Sequence, residues 1–464
     1  MPQLPTVAII GAGSSGIAAA KALHERDIPF DCFEASDRIG GNWVFDNNNG
    51  MSAAYRDLHI NTSRERMAFS DFPMPASCPD FPHHTEIAAY FEAYVERFGF
   101  RERIRFETAI ARADLRDDTG WQLTDEHGVM RDYDMLLVSN GHHWDARWPE
   151  PAFEGSDAFE GLQLHAHDYR DNAFLEGKDV VVLGMGNSAM DLAVESSYVA
   201  RTTQLAARRG AWIVPKYLFG RPSDTFTPSR HVPVAIGAKA FETLLRIYTG
   251  PPERYGLQKP DHPISGSHPT ISGRILDCIA HGTITPRPNI ERLGSDWVQF
   301  TDGTRVHADV VIYCTGYRIS FPFFEDGFLA APGNHIELFL RIFPARHPSL
   351  AFVGLLQPIG AIMPLAEAQG QWIAEYLRGA YRLPSPRAME ADIRRERKRM
   401  RRRYVASERH TIQVDFDRYL FDLRRERRRG MRRAAAAGRA LPVAPRAGAT
   451  AVAVAGADAK VGAA

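Results

Sequence analysis

Apolar and polar positions along this chain fall into a pattern that occurs twice. Thr6 to Ile10 is a short apolar run that stops at Gly11; helical periodicity follows from Ile17 to Glu25, then a second run from Phe30 that stops at Glu34. A continuous apolar run bounded by turn residues reads as a strand buried on both faces, and strand–turn–helix–strand in this order reads as a parallel βαβ unit. The pattern returns at Val180 to Leu183, which stops at Gly184; a helix is expected from Met190 to about Tyr198, and the next strand, Gln204 to Ala207, ends in Arg208 and Arg209. Two further runs close on turns: Tyr133 to Val138 before Ser139-Asn140-Gly141, and Ala308 to Tyr313 before Cys314-Thr315-Gly316. The fold class expected is α/β, with two Rossmann-like dinucleotide-binding domains, one inserted into the other and these two runs at the crossings.

Periodicity fades from Lys216 to Thr270, where Pro, Gly, Ser and His dominate, and an irregular insertion is expected. Arg387–Arg403 and Arg424–Arg433 read as solvated helices, with an interaction surface as the alternative. The boundaries expected are 1–168 and 286–432 for the outer domain, 169–285 for the inserted one, and 433–464 for a disordered tail.

Composition narrows the class. A chain of 464 residues exceeds one compact core. Its 56 basic and 56 acidic residues balance, so neither nucleic acid nor an anionic membrane is indicated as a partner. The chain runs directly into its first strand and has no apolar stretch long enough to span a bilayer, so no signal peptide or membrane helix is expected and a cytoplasmic location follows. Cys32, Cys78, Cys278 and Cys314 lie far apart, which argues against a disulfide framework, a zinc site or a flavin disulfide reductase. His83-His84 and His142-His143 have no carboxylate or cysteine cluster beside them, and no metal is expected.

The turns carry the chemistry. In Gly11-Ala12-Gly13-Ser14-Ser15-Gly16 the first glycines let backbone N–H groups approach a pyrophosphate, and the third lets helix and strand pack closely. Glu34, about 20 residues on, can accept from ribose hydroxyls and would repel a 2′-phosphate, so this turn suits FAD or NAD. Gly184-Met185-Gly186-Asn187-Ser188-Ala189 repeats the design with Ala189 at the packing position. Its acidic residue is replaced by Arg208 and Arg209, whose planar forks suit the 2′-phosphate of NADPH. Between the turns, Gly40-Gly41-Asn42-Trp43 offers a flexible passage and a flat apolar wall, although a tryptophan such as Trp43 is more often core.

Phe159, Gly161, His165 and Tyr169 stand at every fixed position of the signature of the flavin-containing monooxygenases, which this chain resembles from the first glycine turn to about Gly379. The resemblance takes in Gly40 to Trp43, the run from Leu58 through Asn61-Thr62-Ser63 to Pro73, Gly184 to Asp191, Cys314 to Tyr317, and Gly354 to Pro358 with Gln357. It is similar to the soluble bacterial branch of these class B flavoprotein monooxygenases, because it lacks a C-terminal hydrophobic anchor. The resemblance implies FAD held by Gly11, Ala12, Gly13, Ser14, Ser15, Gly16 and Glu34, with Gly41, Asn42, Trp43 and Gln357 near the flavin. Asn61 and Thr62 would sit where flavin and nicotinamide meet. NADPH would be held by Gly184, Gly186, Ser188, Ala189, Met190 and Asp191, with Arg208 the main 2′-phosphate contact and Arg209 beside it. His165 and Tyr169 would be structural or hinge elements.

The activity implied is NADPH- and oxygen-dependent transfer of one oxygen atom, by way of a C4a-hydroperoxyflavin, to a nucleophilic nitrogen or sulfur of a small amine or sulfide. Asn61 is the catalytic candidate, since a neutral amide can hydrogen-bond in a dry site without bringing in a charge. Tyr169-Arg170 stands where ketone-oxygenating relatives carry Trp-Pro or Trp-Asp, which counts against Baeyer–Villiger chemistry. An amino-acid N-hydroxylase and a non-catalytic NADPH-sensing flavoprotein are the alternatives, and the oligomeric state, a homodimer included, stays open.

Overall fold

The computed structural model describes residues 3–116, 120–226, 234–404 and 411–445. The repeated pattern becomes two five-stranded parallel sheets. In the first the order is Leu350–Phe352, Met135–Val138, Val7–Ile10, Phe30–Phe33, Ile104–Arg105. In the second it is Thr285–Arg287, Thr202–Ala206, Asp179–Leu183, Val310–Tyr313, Leu162–His165. The central strands, Val7–Ile10 and Asp179–Leu183, are buried on both faces, which is why they read as unbroken apolar runs. In each sheet the chain order reverses beside the central strand. That reversal opens a crevice at the carboxyl ends of the strands, where ligands of such folds bind.

Both helices that follow the glycine turns begin three residues earlier than expected, at Ser14 and Asn187, because a glycine of the turn itself is the N-cap. The Ser14–His24 helix packs on the Met363–Leu377 helix, so closely that a Cβ on Gly370 would stand 3.0 Å from Ala19 Cα. The core of the first unit gathers there around the buried Trp372.

Three expectations are corrected. The second sheet takes strands from Leu162–His165 and Val310–Tyr313, both outside the 169–285 span. The run before Cys314 is hydrogen-bonded to Asp179–Leu183, and sequence order hides this because parallel partners can lie far apart in the chain. Within 216–270 lies a 16-residue helix, Val234–Thr249, with Leu245 buried; its neighbours' Pro and Gly masked its periodicity. The expected tail is partly structured: the Phe416–Ala436 helix passes through residue 433, and Ala434 and Val443 are buried. Residues 446–464 lie outside the described residues.

Candidate active site

At the first turn two glycines are demanded by the protein's own packing. Gly11 has φ +100°, and a Cβ there would stand 2.6 Å from Ser139 O; one on Gly16 would stand 1.8 Å from Gly11 O. Gly13 is different. The nearest atom to a Cβ there would be Gly41 Cα at 3.8 Å, an ordinary contact, so the bare backbone at Gly13 answers no internal need and leaves room for a ligand. Gly13 caps the Ser14–His24 helix without a side-chain hydrogen bond, which leaves first-turn N–H groups for an anion. Ser15 Oγ lies against Gly354, where a side chain would collide with it.

Glu34 is only 4% exposed. One carboxylate oxygen accepts the Ala12 N–H at 2.7 Å, and the other accepts the N–H and the hydroxyl of Ser36, both at 2.9 Å. Burial raises its pKa, and these hydrogen bonds oppose the shift. The acid is braced against the turn on one side and against Ser36 on the other.

The second turn is built alike and set in more open ground. Gly184 has φ +149°, and a Cβ there would stand 2.8 Å from Cys314 O; Gly186 caps the Asn187–Ser196 helix, again without a side-chain bond. Arg208 and Arg209 are exposed and line an open cleft of about 1040 Å³ together with both glycines. Arg209 lies 3.8 Å from Asp261, while no ion pair among the described residues engages Arg208. Met190 follows the turn with its side chain fully buried in the core of the second unit and its N–H bonded to Gly186 O.

Beside the second turn, and lined from both units, lies a cavity of about 270 Å³. Asn42, Asn61 and Gln357 face it from the first unit, and Gly186, Ser188, Ala189 and Asp191 from the second. Asn61 Oδ1 is buried there with no hydrogen-bond partner. The insertion fixes its backbone from both sides: Lys216 Nζ donates to Ile60 O at 3.3 Å, and the Ser63 N–H donates to Asp224 at 2.7 Å. Thr62 is buried beside it and does not line the cavity; Trp43 packs against the first core.

The structure also brings in residues that pattern reading missed. Tyr55 of the first unit donates to Asp191 of the second at 2.7 Å, and burial lifts Asp191 to about 6. Tyr169 donates to Glu195 at 2.7 Å, inside the second unit. His142 lines the cavity with Nε2 unpartnered, and burial holds it well below the usual histidine pKa, hence neutral. His165 accepts the His167 N–H on Nδ1 at 3.0 Å and is pushed by burial to about 4. The position of His142 just past the Asn140-Gly141 crossing was the available signal. His83, of the other histidine pair, instead caps the His84–Phe98 helix in a reciprocal box with Glu86. Tyr55 and Lys216 sit in no motif.

Two parallel sheets, each ending in a bare glycine turn at a helix N-terminus, define a two-dinucleotide oxidoreductase, and the orphaned polar atoms and uncapped helices suit flavin and nicotinamide dinucleotides. The profile of the family described as Flavin-binding monooxygenase-like matches residues 5–427. Rat flavin-containing monooxygenase 5 is 37% identical over 429 residues, covering 88% of this chain and 80% of that protein. Human flavin-containing monooxygenase 2 is 32% identical, covering 90% and 81%. Among solved structures, S-allyl-L-cysteine S-oxygenase from Allium sativum superposes with TM-score 0.69 at 24% identity, covering 94% of this chain and 93% of that one. The closed form of cyclohexanone monooxygenase gives 0.71 at 19%, covering 95% and 99%; at such identities these two show the fold alone. This chain belongs to the flavin-containing monooxygenase family, and its cofactors are FAD and NADPH. Among the described residues no helix is long and apolar enough to cross a membrane.

Proposed function

We propose that this enzyme oxygenates nucleophilic nitrogen or sulfur in small molecules, and that Asn61 is its catalytic side chain. One observation carries the reading: Asn61 Oδ1 is buried and unpartnered at the cavity that the two units line together beside the second glycine turn. A buried amide oxygen without a donor is costly, and a donor group on a bound cofactor or substrate would relieve it. FAD would lie along Gly11 to Gly16, Glu34 and Gly41 with its ring near Asn42 and Gln357. NADPH would lie along Gly184 to Ala189 with its 2′-phosphate on Arg208 and, more weakly, Arg209. The cofactors supply hydride transfer and oxygen activation.

The chain's own share is placement and exclusion. His142 and His165, both held neutral by burial, add hydrogen-bonding capacity without charge. Leu58, Ala166 and Ile319 supply apolar wall, and a dry cavity protects a reactive oxygen species from water. The inserted unit is taken to run from Leu162 to Tyr313, the limits of its sheet. The four unpaired cysteines suit a reducing, cytoplasmic compartment.

Purified holoenzyme with NADPH and oxygen should convert trimethylamine or a methyl sulfide to its oxide and leave ornithine and lysine untouched. Turnover of only a cyclic ketone or an amino acid would replace this reading, and no oxygen uptake with any of them would favour a sensor. Asn61→Ala should keep FAD and still oxidise NADPH, while oxide yield falls by about tenfold or more and hydrogen peroxide rises to match. Unchanged yield would remove Asn61 from the chemistry.

A further inference from the structure

A second enclosed space lies apart from both glycine turns. The arginine-rich helices Pro386–Arg403 and Phe416–Ala436 bound a cavity of about 300 Å³ lined by seven arginines and five carboxylates. Each of those carboxylates is already ion-paired to an arginine. Arg341 and Arg429 have no such partner among the described residues. Arg429 is exposed, whereas Arg341 is 7% exposed and its Nε meets no acceptor. A guanidinium buried without an acceptor is strongly disfavoured unless something supplies one.

Two further observations point to a ligand. Gln413 is fully buried at the same cavity, and neither its amide nitrogen nor its amide oxygen has a partner. Leu340 and Arg341 both hold left-handed backbone, φ +48° and +61°, an unfavourable conformation for residues with side chains. Strain of this kind concentrates at functional sites. Here it holds the segment from which the Arg341 guanidinium enters the cavity.

We propose that this cavity is a binding site for a small phosphate or phosphate monoester, held by Arg341 at its floor, Gln413 beside it and Arg429 at its rim. Guanidinium forks match phosphate oxygens. The Gln413 amide N–H donates to another oxygen, and its carbonyl needs a donor. Hydrogen phosphate has a proton to offer that carbonyl, and sulfate at neutral pH has none. The site would bear on the active cavity through backbone: Gln413 pairs with Gln357 across two short parallel strands, and the adjacent Ile412 lines the active cavity.

The test is a thermal-shift titration of FAD-loaded enzyme under saturating NADP+, which fills the Arg208 site, with chloride holding ionic strength constant. The probes are inorganic phosphate, glycerol phosphate and sulfate. Phosphate or glycerol phosphate should raise Tm in a saturable way, and whichever binds more tightly identifies the source. Sulfate should act at least several-fold more weakly. Arg341→Met should abolish the shift, and Arg429→Ala should weaken the midpoint roughly tenfold. No saturable shift with either phosphate probe, equal binding of sulfate, or equal shifts in both variants would overturn the site. Should Arg341→Met not fold, the Arg429→Ala midpoint decides alone.

Discussion

The two glycine turns share one local design and differ in what surrounds them. Both are uncapped helix N-termini following a central parallel strand. At the first, Glu34 is buried and holds three hydrogen bonds, one from the Ala12 N–H of the turn and two from Ser36. At the second, Arg208 stands exposed in a wide cleft with no carboxylate engaging it among the described residues. A braced, enclosed acid suits a cofactor that stays; an exposed arginine beside an open cleft suits one that exchanges on each turnover. The turns themselves are nearly the same, and the two regions differ in the ground around them.

The enclosed turn is the more fragile of the two. Gly16→Ala places a Cβ 1.8 Å from Gly11 O, a backbone atom that cannot step aside cheaply. Soluble protein should lose its flavin absorbance almost entirely; a yellow, stable variant would mean that the turn is not rigid. At the open turn, Arg208→Ala should raise the KM for NADPH by about tenfold to a hundredfold, the worth of a charged hydrogen-bonded contact, and leave the KM for NADH unchanged. Equal changes for both cofactors would remove Arg208 from the 2′-phosphate. Arg209→Ala should do less, since Asp261 lies near it.

The smallest effect concerns the seam between the two regions. Burial lifts Asp191 to about 6, above the 3.8 of an ordinary aspartate, although Tyr55 donates to it. A carboxyl whose folded pKa is raised favours the folded state only while protonated. Its contribution therefore declines as pH rises from about 4 to about 6, and the charged form is a standing cost above that window. Asp191→Asn, which keeps an acceptor for Tyr55, should be neutral at pH 4 and stabilise by on the order of 1 kcal/mol at pH 7.5. Denaturant titrations at the two pH values check this, and a gain at pH 4 as large as that at pH 7.5 would contradict it.

Much of this was legible before any coordinates. The strands at Val7–Ile10 and Asp179–Leu183 and the helices after them were readable because residues buried on both faces must be apolar and a turn against backbone must be glycine. Glu34 and Arg208 were readable because strand ends place them at fixed distances from those turns. That the Met190 side chain faces the core was not legible, because helix position alone does not say which face meets it. The helix Val234–Thr249 was missed because its flanks are rich in breakers.

Residues close together along the chain carry the two dinucleotide units, the contrast between Glu34 and Arg208, and the family resemblance. Packing between distant segments put Val310–Tyr313 in the second sheet, brought Tyr55 to Asp191, and let the insertion hold the backbone around Asn61 through Lys216 and Asp224. It also decided that Arg341 and Gln413, 72 positions apart by number, share one cavity. Such contacts depend on how distant segments pack, and local periodicity carries no information about that.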